Sequence, residues 1–287
     1  MKITVAKSAG FCFGVKRALA IAFKTIASGS RVHMLGDIVH NEDVVRQITG
    51  AGIKKIKRLA NGKGKTLLIR AHGASRDIFD KARRSGYRIV DATCPMVKEI
   101  HRIAKEMEKK GYSVIIIGDK KHDEVRGIVG QLKKKALVIE DLKDMPYGAV
   151  KKIRKAAIVA QSTQNLDKVL AMVEALRRHI DEVRFFNTIC RPTRLKQGEI
   201  KTMPLANDVM IIIGSKTSAN TKRLYEISRS LNKMSYWVQS KEDLKPGWFK
   251  DSMKVGVTAG ASTPDSTTKE IVSRIRILGQ NCSSPAR

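Results

Sequence analysis

One spacing constrains this chain more than any other feature. Cys12, Cys94 and Cys190 each stand 24 residues before a glycine that closes a short apolar run: Gly36 in VHMLGDIVHN, Gly118 in VIIIGDKKHDE and Gly214 in MIIIGSKTSAN. Four residues past each glycine comes a polar side chain, His40, His122 or Ser218, so the cysteine-to-polar offset is 28 residues every time. Later in each third, another apolar run enters a small polar loop: IRAHGAS around His72, VAQSTQN around Ser162 and VTAGAST around Ser262. Offsets kept three times mark an internal repeat, in which each copy is one supersecondary unit. The chain therefore reads as three copies of one small unit, each supplying a cysteine and two polar loops.

The unit itself is α/β. Short β-branched runs (RVHML, TLLIRA, YRIVDA, SVIIIG, ALVIE, AAIVAQ, DVMIIIG and KVGVTA) alternate with segments of helical period. In NLDKVLAMVEALRRH, for example, Leu166, Val169, Leu170, Val173 and Leu176 fall on one face. Such alternation predicts mostly parallel sheets covered by helices. The expected segments are 1–92 with Cys12, His40 and His72; 93–187 with Cys94, His122 and Glu124; and 188–287 with Cys190, Ser218, Asn220, Ser262 and a short tail. No Pro- or Gly-rich linker separates them. Functional loops of open α/β sheets lie at strand carboxyl ends, so three units facing one another would bring three cysteines and about six polar loops to one cavity.

Composition excludes several alternatives. With 42% hydrophobic residues, 287 residues suffice to bury a core. The formal net charge of +29 invites a nucleic-acid reading, yet aromatics are only 5% and no helix-turn-helix or zinc-finger spacing is present. The basic stretches KKIKRLANGKGK, 133–135 and 151–155 read more simply as solvated loops and helix ends; a nucleic-acid-binding protein on the same scaffold is the alternative to an enzyme. Four scattered cysteines without CxxC do not form a disulfide framework. The N-terminus lacks a signal peptide's continuous apolar region, and no run approaches the ~18 apolar residues of a membrane span. A cytoplasmic protein with reduced thiols is expected.

Taken singly, each cysteine would read as a small buried core residue; the shared offset reverses that reading. Cys12 precedes a helical pattern with the face Val15, Ala18, Leu19, Ala22 and Ile26 and a stop at Gly29. Cys94 precedes another, with Thr93 as N-cap, Pro95 as an early helical position and Gly111 as stop. Helix N-termini favour thiolates. The context of Cys190 is interrupted by Pro192, Gly198 and Pro204. Zinc prefers four closed ligands, whereas three thiolates around a [4Fe–4S] cluster leave one iron open, and the spacing favours the cluster over zinc. Histidines, hydroxyls and an amide beside strand-end glycines describe an anion site suited to a diphosphate. Glu124 reads as a proton donor or, in isolation, a first-turn carboxylate. His33, His101 and His179 fall outside the repeat and read as structural. Cys282, in the terminal NCSSPAR, reads as part of a disordered tail, not as a ligand.

The motifs AGFCFGVKRAL, LGDIVHN, RAHGAS, DATCPMV, HDEVRGIVGQ, NTIC, GSKTSANTKRL and VGVTAGASTPD together resemble the 4-hydroxy-3-methylbut-2-enyl diphosphate reductase (IspH/LytB) family, from residue 1 to about 275. The resemblance implies a pseudo-threefold trefoil of three α/β units around a central [4Fe–4S] cluster held by Cys12, Cys94 and Cys190, its open iron taking the substrate's hydroxyl oxygen. It implies two-electron reductive dehydroxylation to isopentenyl and dimethylallyl diphosphates, the last step of the non-mevalonate isoprenoid pathway. His40, His72, His122, Ser218, Asn220 and Ser262 would bind the diphosphate. Glu124 would deliver protons with Ser162 or Thr163 in the relay, and Thr193 would support the third cysteine's loop. A ferredoxin or flavodoxin would supply electrons, and part of the positive charge would serve as its docking face. Three departures stand out: Ala219 replaces a serine of the family's Ser-Ser-Asn triplet, Arg191, Pro192 and Lys196 alter the segment after the third cysteine, where a weak helix is expected, and the chain stops early.

Overall fold

The computed structural model describes residues 1–250 and 252–281; Cys282 lies outside the described residues. The strands are β1 (Lys2–Val5), β2 (Arg31–Leu35), β3 (Lys54–Ile56), β4 (Lys65–Ile69), β5 (Arg88–Asp91), β6 (Ser113–Ile117), β7 (Leu137–Ile139), β8 (Lys155–Ala160), β9 (Glu182–Phe186), β10 (Val209–Ile213), β11 (Ser235–Val238) and β12 (Lys254–Ala259). Among them run α1 (Phe13–Ala27), α2 (Glu42–Gly50), α3 (Arg76–Arg84), α4 (Pro95–Lys109), α5 (Asp123–Val129), α6 (Tyr147–Val150), α7 (Leu166–Arg177), α8 (Arg191–Thr202), α9 (Ala219–Leu231) and α10 (Asp265–Asn281).

These strands form three four-stranded parallel sheets of one topology: β3-β2-β4-β5, β7-β6-β8-β9 and β11-β10-β12-β1. The α/β class and the threefold repeat expected from the spacing are thus present in the sheets. The last sheet is completed by the first strand of the chain, Val5 lying opposite Val257. β1 plays the part of β5 and β9, the edge strands that lead into Cys94 and Cys190.

Inner strands are apolar because helices cover both their faces. Ile115 and Ile117 of β6 point with Ile158 of β8 toward Val169, Met172, Val173 and Leu176 of α7. Their neighbours Val114 and Ile116 point the other way, with Val159, onto Ile100 and Ala104 of α4 and Val125 and Ile128 of α5. The last sheet repeats this: Val209, Ile211 and Ile213 face Ile271, Ile275 and Leu278 of α10, while Met210 and Ile212 face Ile200 of α8 and Leu224 of α9. Each fully buried Ile or Val contributes about 1.5–3 kcal/mol relative to exposure, so both faces of every inner strand stabilise the unit.

Two helical faces differ from expectation in detail. Leu170 of α7 is exposed and Met172 takes its place; in α1, Thr25 is buried and Ile26 is only half-buried, Thr25 satisfying its hydroxyl on the Ile21 carbonyl at 2.7 Å. The expected stops are present. Gly29 and Gly111 have φ of +72° and +85°, the left-handed conformation that ends a helix. By packing, the chain divides into two compact units: one is Met1–Phe13, His40–Val44 and the chain from Arg191 on, the other Gly14–Val39 and Val45–Cys190.

Candidate active site

The three cysteines occupy one backbone position. Cys12, Cys94 and Cys190 each immediately precede a helix, α1, α4 and α8 respectively. Each backbone N–H donates to a carbonyl in the loop after an inner strand: Cys12 to Ala261 at 3.1 Å, Cys94 to Ala71 at 2.9 Å, Cys190 to Ser162 at 3.0 Å. Those loops are the same turn. Gly73 N–H donates to Arg70, Gln164 to Gln161, and Thr263 to Gly260, at 3.0–3.1 Å. The two central residues are therefore Ala71–His72, Ser162–Thr163 and Ala261–Ser262. This corrects the register read from the sequence: the counterpart of His72 and Ser262 is Thr163, and Ser162 matches the two alanines. All three cysteines are half-buried.

Cys94 itself is the N-cap of α4, with Pro95 at the first helical position. Thr93, expected there, instead donates its N–H (2.9 Å) and hydroxyl to Asp91 at the end of β5, and its carbonyl accepts from Arg17 of α1 at 3.1 Å. The approach to Cys190 is held similarly, Thr188 Oγ1 donating to the Ala160 carbonyl (2.6 Å) and accepting the Ala160 N–H (2.8 Å).

The helix after Cys190 is not weak. α8 runs 12 residues because Pro192 lies in its first turn, where no intrahelical N–H is required, Gly198 is on its exposed side, and Pro204 falls beyond its end. Thr193 is buried within it. Lys196, only 2% exposed, donates from Nζ to the carbonyls of Ser8, Gly10 (3.1 Å) and Ala259 (3.0 Å). Three acceptors match the three N–H donors of an ammonium. One turn on, Glu199 accepts the Ser8 N–H at 3.1 Å and the Ser8 hydroxyl. These two side chains fix the loop that leads into Cys12. In the sequence Lys196 stands out only as a departure from the family pattern; the signal for its role is a charged pair three residues apart, Lys196 and Glu199, beside the buried Ile200.

In the unit that holds Cys94 and Cys190, the rings of His72 and His122 meet edge-on with centroids 5.4 Å apart. His122 is the N-cap of α5, its Nδ1 accepting the Glu124 N–H at 3.1 Å. In the neutral ring the proton then sits on Nε2, which becomes a donor. Glu124 is 1% exposed; its carboxylate accepts the Ser162 N–H at 2.6 Å and the Ser162 hydroxyl at 2.7 Å. Burial raises its pKa above the ordinary glutamate value, against the opposing pull of the two Ser162 bonds. Thr163 is half-buried and accepts from Gln161 Nε2 at 3.0 Å.

The other unit holds Cys12, His40, Ser218, Asn220 and Ser262. Ser262 donates its hydroxyl to the His40 carbonyl at 3.0 Å. Next to His40, Asn41 Oδ1 accepts the Val44 N–H at 3.0 Å. Ser218 is the N-cap of α9, accepting the Thr221 N–H at 3.3 Å. Ala219 is buried beside it, and the amide Nδ2 of Asn220 is buried with no acceptor among the described residues. An unmet buried donor costs about 1–3 kcal/mol, which an incoming oxygen anion would relieve. A side chain at Gly214 (φ +150°) would meet Thr221 Oγ1 at 2.5 Å, so this approach requires glycine.

The donor set fits a metal–sulfur group: three half-buried cysteines in equivalent positions, each anchored by the same backbone bond and each at a helix start. No helix among the described residues is long and apolar enough to cross a membrane. In the basic stretches Lys55 pairs with Asp37 at 2.5 Å and Lys155 with Glu182 at 3.1 Å.

These features define a parallel α/β enzyme with thiol loops suited to a metal–sulfur cofactor and polar turns suited to an anionic substrate. The chain belongs to the LytB protein family, whose model matches residues 3–276. The 4-hydroxy-3-methylbut-2-enyl diphosphate reductase of Aquifex aeolicus is 40% identical over 288 residues, covering 98% of this chain and 99% of that protein. That of Geobacter metallireducens is 39% identical over 279 residues, covering 96% and 97%. A solved structure of (E)-4-hydroxy-3-methyl-but-2-enyl diphosphate reductase, the terminal enzyme of the non-mevalonate pathway, has a TM-score of 0.72 at 39% identity and covers 96% of this chain and 99% of its own. The Plasmodium falciparum E-1-hydroxy-2-methyl-but-2-enyl-4-diphosphate reductase has a TM-score of 0.86 at 27% identity, covering 95% and 87%.

Proposed function

We propose that the chain is an iron–sulfur reductase that converts 4-hydroxy-3-methylbut-2-enyl diphosphate to isopentenyl and dimethylallyl diphosphates, the last step of the non-mevalonate pathway, in the cytoplasm. The observation that carries the reading is the threefold bond from a cysteine N–H to the turn after an inner strand, in a chain that matches reductases over nearly its whole length. Residues 1–92, 93–187 and 188–287 would each contribute one such cysteine loop, arranged about a pseudo-threefold axis.

Cys12, Cys94 and Cys190 would hold a [4Fe–4S] cluster with one iron open. When bound, that cluster would supply the two electrons of the reaction and a Lewis acid for the substrate's hydroxyl. His40, His72, His122, Ser218, Asn220 and Ser262 would bind the diphosphate; the buried amide of Asn220 and Nε2 of His122 are donors suited to its oxygens. Ala219 leaves only a backbone contact where a further hydroxyl would stand. Glu124 would hold the proton for the departing hydroxyl: its burial keeps the carboxyl protonated to higher pH than an exposed glutamate. Ser162 would orient it, and Thr163, at the turn position that His72 and Ser262 hold in the other repeats, would join Ser162 in the proton relay. Nothing in the structure favours the nucleic-acid alternative. The electrons would come from a ferredoxin or flavodoxin, drawn to the basic surface by its acidic one; donor reduction insensitive to ionic strength would contradict that part.

The test is anaerobic turnover of 4-hydroxy-3-methylbut-2-enyl diphosphate with a strong one-electron donor. Formation of both five-carbon diphosphates is expected; a reconstituted, folded protein that leaves the substrate unchanged would refute the reading.

A further inference from the structure

One ion pair ties together the two loops that carry His72 and His122. Arg70 is the first residue of the turn after β4, two positions before His72, and its carbonyl takes the Gly73 N–H that closes that turn. Its guanidinium reaches Asp123, the first residue of α5 and the neighbour of His122, at 2.5 Å. Both side chains are largely covered, 15% and 23% exposed. Space for the guanidinium comes from Gly36 at the end of β2, where an added side-chain carbon would lie 2.7 Å from Arg70 Nη1 and where φ is +77°. Three strand-end loops of one unit are thereby committed to this contact.

The charge logic is specific. A carboxylate adjacent to His122 works against anion binding by the His72–His122 pair, whose rings are 5.4 Å apart, because like charges in a partly covered site repel strongly. A glutamine or asparagine at 123 would hold no such penalty, whereas the aspartate requires a cation. Arg70 supplies it, in a geometry that also fixes the spacing of the two loops.

We infer that Arg70 and Asp123 form a charge-cancelling positioning pair, through which Arg70 makes the His72–His122 loops accept a diphosphate. The inference rests on the diphosphate reading above and adds to it two residues that need not touch the substrate. A purely structural pair would behave symmetrically, since removing either partner breaks the same bond. A charge-cancelling pair does not: loss of Arg70 takes this cation away from Asp123, the chain neighbour of His122, while loss of Asp123 takes this anion away from Arg70.

The experiment is anaerobic titration calorimetry of the cluster-loaded protein with inorganic pyrophosphate, for the parent chain, Arg70→Met, Asp123→Asn and the double variant, each checked for iron content and thermal melting. Arg70→Met is expected to weaken binding about tenfold, Asp123→Asn to leave it equal or tighter, and the double variant to recover most of the loss. In turnover Arg70→Met should raise KM about tenfold with kcat within about twofold, as expected when binding shared equally by ground and transition states is lost. Equal weakening by both single variants without recovery in the double, or unchanged binding by Arg70→Met, would overturn the inference. Should Arg70→Met fail to fold, Asp123→Asn decides alone, since a tenfold loss there contradicts charge cancellation. Absence of pyrophosphate binding by the parent would instead overturn the diphosphate reading itself.

Discussion

The carboxylate of Glu124 is gripped twice by Ser162, through the backbone N–H at 2.6 Å and through Oγ at 2.7 Å, while the carbonyl of that same serine takes the N–H of Cys190 at 3.0 Å. One turn residue therefore connects the buried acid to a thiol loop. Its side chain and amide address the acid, and its carbonyl addresses the cysteine.

Glu124→Gln keeps the size of the side chain and removes the acid. The variant should retain its iron and lose about 100-fold or more in turnover, the scale of a positioned general acid. Iron analysis beside a kcat measurement checks this; an unchanged rate would refute the acid role.

The raised pKa of Glu124 also makes stability depend on pH. Because the folded value lies above the ordinary 4.5, the neutral carboxyl stabilises the fold at low pH, and that contribution is lost as pH rises through the folded value. Glu124→Gln is neutral throughout. The melting temperature of the parent should therefore fall relative to that of Glu124→Gln on going from acid to alkaline pH, and a constant difference would contradict the assignment.

His101 acts in the opposite sense. It is 8% exposed on α4, and burial, followed by the charge of Lys105, lowers its pKa to about 4. Its contribution is present above the ordinary value of 6.5 and is lost as pH falls toward 4, a change of roughly 3 kcal/mol. Denaturant unfolding at pH 7 and pH 4.5 should show this loss in the parent and a smaller one in His101→Gln.

Lys196→Met fills the same space but removes the Nζ donor from two buried carbonyls, Gly10 and Ala259, and from the partly buried carbonyl of Ser8. At about 1–3 kcal/mol for an unmet buried polar group, the variant should lose at least about 2 kcal/mol in denaturant unfolding. It should also release iron faster than the parent in air, because Ser8 and Gly10 lie in the loop before Cys12. Parent-like values for both would show that the clamp does not support the loop.

Much of this was legible in the sequence, for a physical reason. All six inner strands stood out as apolar runs because both faces of β2, β4, β6, β8, β10 and β12 are covered. Of the edge strands, β5 and β7 were read, but β1, β3, β9 and β11 were not, since a short, partly solvated strand such as Lys2–Val5 or Lys54–Ile56 carries charged residues and no periodic signature. The cysteine offset survived because each cysteine is bonded to the same turn position. The polar turns were misaligned by one residue in the second repeat: Ser162 and Thr163 both bear hydroxyls, and only the hydrogen bond closing the turn distinguishes them. The length of α8 was hidden by two prolines and a glycine whose effect depends on their place in the turn, and Arg70–Asp123 joins positions 53 apart, a pairing no local pattern announces.

The central claim, that Cys12, Cys94 and Cys190 hold one iron–sulfur cluster, is tested most directly by iron and sulfide analysis of anaerobically purified protein beside its Cys190→Ser variant. The account predicts about four iron and four sulfide per chain in the parent and a clear loss of both in the variant. A folded, colourless parent that stays free of iron after reconstitution, or a Cys190→Ser variant with full iron, would contradict it.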